Sequence, residues 1–109
     1  MDNETLLSIT SRFFKIRGYS IEYDLKYEGL SGVLYNFDIL IKKGSEERTV
    51  IVIDWKRTVG VNMIIKANKA VEDINLPNPI IVARRFSDHA KAFSNKKRIT
   101  LMTEAEILS

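Results

Sequence analysis

The spacing of apolar residues along the chain changes period several times, and each change predicts an element. Leu6, Ile9, Phe13 and Ile16 recur at helical spacing. They predict a first helix that Asp2 or Asn3 caps, that runs to about Arg17, and that Gly18 stops. The pattern then switches to alternation, with Tyr19, Ile21, Tyr23, Leu25 and Tyr27 set against Ser, Glu, Asp and Lys. That is the period of a strand with one wet face, at or near a sheet edge. Glu28-Gly29-Leu30-Ser31-Gly32 follows as a loop marked by its glycines.

Two continuously apolar runs come next, Phe37 to Ile41 and Val50 to Ile53, joined by the charged turn Lys43 to Arg48. They predict a hairpin whose strands are covered on both faces, because neither run alternates. Beyond Gly60, the residues Val61, Ile64, Ile65, Asn68 and Val71 share one helical face, with Lys66, Lys69, Glu72 and Asp73 on the other. This helix ends before the Leu76-Pro77-Asn78-Pro79 turn. Pro79 to Ala83 predicts a short buried strand, Ser87 or Asp88 caps a third helix to about Lys96, and Ile99 to Met102 forms a last strand. The predicted order is α-β-β-β-α-β-α-β. Strands linked through helices lie parallel, so the fold class is α/β, a central mixed sheet between helices.

A chain of 109 residues, 45% of them hydrophobic, is long enough for one core and too short for two, which predicts a single domain over residues 1–109. Seventeen Lys and Arg against fourteen Asp and Glu leave a formal charge of +3, a mild excess that suits an anionic partner. The absence of cysteine excludes disulfides, thiolate metal sites and cysteine nucleophiles. The opening MDNETLLSIT lacks the basic region and long apolar run of a signal peptide, and no apolar stretch approaches the roughly 18 residues of a membrane span. A cytoplasmic protein without membrane contact is expected. The single histidine, His89, falls in a helix first turn with no second histidine to share a metal, which suits a surface role.

The chemistry concentrates on the hairpin. If Lys43 pairs with Thr49, paired residue numbers sum to 92 and Asp38 lies directly opposite Asp54. Two carboxylates roughly 4.5–5.5 Å apart at their Cβ atoms destabilise the pair unless a cation offsets them. Lys56, two residues past Asp54, then shares their face, while Trp55 points the other way into the core with Ile51 and Ile53. Two hard oxygen ligands suit Mg²⁺ or Mn²⁺, which keeps several waters and also takes substrate phosphate. A lysine beside them orients or deprotonates the attacking water, and phosphodiester hydrolysis is the natural reaction.

Asp38, followed sixteen residues later by Asp54-Trp55-Lys56 at the end of an apolar strand, resembles the PD-(D/E)XK or restriction-endonuclease-like superfamily. Within it, the chain is similar to archaeal Holliday-junction resolvases and Mrr-like nucleases. The resemblance implies a three-layer α/β/α sandwich and a metal-dependent endodeoxyribonuclease acting on DNA, branched DNA included. It implies Asp38, Asp54 and Lys56 as catalytic residues, Asp38, Asp54 and Trp55 as metal positions, and no small-molecule cofactor. Glu4 matches the additional first-helix glutamate of the resolvases, and Ser31 matches a serine in their glycine-bearing loop. Such resolvases act as two-fold dimers, which implies a homodimer. Two departures stand out: Phe37 replaces the nominal proline, and Asn68 stands where some members carry glutamine. Lys66 and Lys69 are candidates for DNA phosphates, as are Arg84-Arg85 and Lys96-Lys97-Arg98. A D-x-K triplet alone says little, because charged residues commonly end a buried strand. The competing expectation is a degenerate nuclease fold that binds nucleic acid or a protein partner without cutting.

Overall fold

The computed structural model describes residues 4–76 and 78–109. Its elements are α1 (Leu6–Ile16), β1 (Ser20–Glu28), β2 (Leu34–Lys43), β3 (Glu46–Ile53), α2 (Val61–Asp73), β4 (Ile80–Ala83), α3 (Asp88–Lys97), β5 (Thr100–Thr103) and α4 (Glu104–Leu108). The five strands form one sheet in the order β1-β2-β3-β4-β5. The first three are antiparallel, and β4 and β5 continue parallel to β3. This is a mixed sheet with helices on both faces, the expected α/β sandwich.

Parity along the strands sorts the core into two layers. Ile39, Ile41, Val50, Ile80 and Val82 face α1 and α4, where Leu6, Ile9, Phe14 and Ile107 complete one cluster. Ile53, Ile81 and Ala83 face the other way and pack with Val59, Ile64, Phe86, Ala90 and Ile99 around α2 and α3. Both hairpin strands are therefore covered on both sides, as their unbroken apolar runs predict. β1, whose pattern alternates, is the edge strand.

Several local expectations change. The N-cap of α1 is Thr5, whose side chain accepts from the Ser8 N–H, and Glu4 precedes the helix instead of lying on it. Asp2 and Asn3 lie outside the described residues, as does Pro77 in the turn after α2. The buried face of α1 runs through Leu6, Ile9, Thr10 and Phe14, while Ile16 is 74% exposed. Phe13 and Phe14 offer two phases for the apolar stripe, and contact with the sheet selects the second. The helix does stop at Gly18, which takes a φ of +91°. α4 is absent from the predicted order, although Thr103 and Glu106 form the reciprocal capping box that announces a helix start.

The hairpin register also differs. Ile39 pairs with Val50 and Lys43 with Glu46, so paired numbers sum to 89, not 92. The turn is only Gly44-Ser45, with glycine first at φ +63° as tight hairpins require. The charges that look like a long turn are cross-strand partners. Lys42 Nζ lies 2.9 Å from Glu22 on β1 and 3.6 Å from Glu47 on β3.

Candidate functional site

The observed register places Asp38 and Asp54 on opposite faces of the sheet. Asp38 shares its parity with Leu40 and the facing Ile51, on the α2 side, and is not opposite Asp54. It is the one position of β2 that pairs with neither neighbouring strand. The β2–β3 ladder ends beside it at Ile39–Val50, and the β1 ladder skips the position that Asp24 would fill. Asp24 takes a left-handed φ of +54° there, a conformation that aspartate tolerates better than most residues. Asp38 thus stands exposed where the sheet opens. It borders a cleft of about 200 Å³ walled by Tyr35, Phe37, Ile51, Ile53, Met63 and Ala67. Lys66 of α2 lines the same cleft, whereas Lys69 is exposed and Asn68 half-buried elsewhere on the helix.

Asp54 follows the last residue of β3 and turns toward the N-terminus of α1, where its Oδ2 accepts the Leu6 N–H at 3.3 Å. Its Oδ1 receives two donors from Arg84, Nη2 at 2.6 Å and Nε at 3.2 Å. The Arg84 Nη1 in turn lies 3.5 Å from Glu104 Oε1. Parallel pairing explains the row. Ile53 pairs with Ala83 and Ala83 with Thr103, so the next residue of each strand, Asp54, Arg84 and Glu104, emerges at one level. They sit at the carboxyl ends of parallel strands, where open α/β sheets bind ligands. All three side chains remain about one-third exposed, at 39%, 35% and 31%.

The row shifts the titration of its members. Hydrogen bonds from Arg84 hold the Asp54 carboxyl below the usual aspartate range, against partial burial, with help from the Leu6 N–H. The Arg84 guanidinium is raised, chiefly by Asp54 and then by Glu104. Arg84 thus supplies the positive charge that an exposed carboxylate beside the sheet calls for.

The segment after Asp54 is clamped from the same strand end. Arg85 donates Nη2 to the Lys56 carbonyl at 2.5 Å, and the Val59 N–H donates to the Arg85 carbonyl at 2.9 Å. Trp55 packs against the α2–α3 cluster, as its parity predicts, with the Arg57 guanidinium 4.0 Å above its ring. Lys56 is exposed and forms no ion pair with another described residue.

Two other expected positions are occupied by structural partners. The Glu4 carboxylate is held by both terminal guanidinium nitrogens of Arg12, Nη1 and Nη2, the latter at 2.8 Å, on the outer side of α1. Ser31 donates its hydroxyl to Asp73 Oδ2 at 2.5 Å and its N–H to Oδ1 at 3.0 Å, and the Tyr35 hydroxyl adds a third bond at 2.9 Å. Asp73, which counts as an exposed helix residue in the sequence, is the latch that ties the glycine loop to α2. His89 is exposed on α3.

Sequence reasoning assigns Arg84 only to DNA phosphate and gives Glu104 no role. Part of the signal was present, since Arg84 follows directly on an apolar strand run as Asp54 does, whereas Thr103 separates Glu104 from its run. Joining the three required the parallel register.

Hard carboxylate oxygens are what Mg²⁺ or Mn²⁺ takes, and one or two suffice because such an ion keeps water and phosphate in its remaining positions. Asp54 and Asp38 are each exposed and of that chemistry, so the donor type fits, but the register sets the two on opposite faces of the sheet. Among the described residues no three acidic or histidine side chains converge into a ready cage.

Comparison with known proteins adds to this geometry. The family model described as restriction endonuclease, Mrr_cat, matches residues 1–109. No curated protein matches the sequence. Among solved structures, the crystal structure of a protein of unknown function, AF1548, superposes with a TM-score of 0.82 at 14% identity, over 92% of this chain. At that identity the likeness is one of fold, and this chain spans 61% of the length of the other.

Proposed function

Since the chain belongs to the restriction endonuclease family, whose model covers residues 1–109, we propose that it is a metal-dependent endodeoxyribonuclease that hydrolyses phosphodiester bonds in DNA. The match to that family's model over residues 1–109 is the observation that carries the proposal. In support, an exposed carboxylate, Asp54, stands at the carboxyl end of the parallel strands with a guanidinium in hand. Asp54 and Asp38, with Trp55, are the positions proposed to hold Mg²⁺ or Mn²⁺. The ion would polarise the phosphodiester and acidify water beside it. Lys56, projecting from the clamped segment after Asp54, orients the attacking water and balances the charge that develops on phosphate. Lys66, which lines the cleft beside Asp38, is the proposed contact to a backbone phosphate. Glu4, Ser31, Asn68 and Lys69 are weaker members of the proposal, because Arg12 and Asp73 already engage the first two.

One observation favours the competing reading, a fold that binds DNA without cutting it. Asp38 and Asp54 belong to opposite faces, and each catalyst of the proposed type needs both near one phosphate. A cleavage assay separates the two. Linear and branched DNA are incubated with Mg²⁺ or Mn²⁺ and the wild type, Asp54→Ala, Asp38→Asn or Lys56→Ala. The nuclease reading expects cutting by the wild type and a loss of about a hundredfold or more in each variant. Salt-sensitive DNA binding that needs no divalent ion, with no cutting of any substrate, establishes the binding module instead. Sizing of the protein with and without branched DNA tests the proposed homodimer.

A further inference from the structure

We propose that Arg84 is a displaceable counter-ion of Asp54, occupying the oxygen a divalent cation must take and so setting how tightly the protein binds that cation. The proposal rests on Asp54 being a metal ligand, as put forward above. Two N–H groups of Arg84 converge on Asp54 Oδ1, at 2.6 and 3.2 Å, and use both lone pairs of that oxygen. Oδ2 already accepts the Leu6 N–H. A cation that binds through Oδ1 therefore displaces the guanidinium, and the two compete for one atom.

The surroundings suit such an exchange. The pair is about one-third exposed, so the arginine is held weakly enough to leave. It also has a second carboxylate to turn to, because Glu104 Oε1 already lies 3.5 Å from Nη1. The backbone under Asp54 stays in place meanwhile, since Arg85 grips the Lys56 carbonyl and the Arg85 carbonyl receives the Val59 N–H. Arg84 is thus a positioning residue that keeps an exposed acid neutralised until a stronger cation arrives.

The test measures Mn²⁺ binding to the full chain by titration of free Mn²⁺ in electron paramagnetic resonance, without DNA. Asp54→Asn is expected to abolish the site. Arg84→Ala is expected to tighten it about two- to fivefold, the range that partly exposed ion pairs contribute. Arg57→Ala, which removes an equal charge three residues from Asp54 with no bond to it, is expected to change affinity less than that. In the wild type, Mg²⁺ should move the Arg84 Nε–H resonance as the guanidinium leaves. If Asp54→Asn abolishes binding but Arg84→Ala binds no more tightly than Arg57→Ala, the counter-ion proposal is overturned and the metal assignment stands. Binding that survives Asp54→Asn, or that neither the wild type nor Arg84→Ala shows, overturns both. Should Arg84→Ala melt below the assay temperature, Arg84→Lys replaces it. Lysine keeps the charge but not the two-donor grip, and is expected to tighten binding about twofold.

Discussion

Thr49 offers a direct measurement of what the hairpin beneath the site contributes. It lies on β3 opposite Leu40, is fully buried, and its Oγ1 has no hydrogen-bond partner among the described residues. A buried hydroxyl without a partner costs roughly 1–3 kcal/mol relative to water, and the methyl of valine would add apolar burial of about 0.8 kcal/mol. Valine keeps the β-branch and the volume, so the strand and its neighbours need not move. Thr49→Val is accordingly expected to stabilise the protein by about 2–4 kcal/mol, or roughly 4 °C in Tm per kcal/mol for a domain of this size. Urea denaturation with an unchanged m-value is the assay. Thr10→Val is the internal control. Thr10 is equally buried, but its Oγ1 donates to the Leu6 carbonyl at 2.7 Å, so the same substitution should destabilise by about 0.5–1.5 kcal/mol. A Thr49→Val protein that unfolds at lower urea than the wild type would refute the reasoning, as would equal signs for the two variants.

Two further predictions concern the latch between the glycine loop and α2. A Cβ on Gly29 would lie 2.0 Å from Asp73 Oδ2, so Gly29→Ala must drive that carboxylate off Ser31 and Tyr35. We expect a loss of about 1–3 kcal/mol and faster amide exchange at Leu30, whose N–H donates to the Asp73 carbonyl. In an Asp73→Ala background most of that loss should vanish, and a fully additive pair would contradict the clash. The Asp73 carboxyl is held below its ordinary 3.8, first by the Ser31 hydroxyl and then by Tyr35 and backbone N–H groups. A depressed folded-state value means that its stabilisation is whole at neutral pH, declines as pH falls below the ordinary aspartate range, and is gone once pH passes the folded-state value. Melting temperatures of the wild type and Asp73→Asn should therefore converge on acidification, and a constant gap down to strongly acidic pH would rule this out.

Much of the fold is legible in the sequence because it follows from local period. The continuous apolar runs at Phe37 to Ile41 and Val50 to Ile53 require a strand buried on both faces, and helical spacing after Gly60 and Ser87 requires the helices that cover it. The Asp54-Trp55-Lys56 triplet is likewise visible, and Trp55 packs where its parity sends it. What escaped is whatever depends on register. A charged run between two strands reads equally well as a six-residue turn or as two strand ends with cross-strand ion pairs. Because side chains alternate with a period of two, the three-unit difference in the paired sum reverses the face on which Asp38 stands relative to Asp54. The same holds for partners. Asp54, Arg84 and Glu104 are far apart in the chain, and only parallel pairing of β3, β4 and β5 brings them to one level. The sequence by itself determined the layers, the strand-end acid and the family. The tertiary structure alone decided that Asp54 meets an arginine there instead of the Asp38 carboxylate, since hydrogen bonds between strands, and not spacing along one, choose which side chains become neighbours.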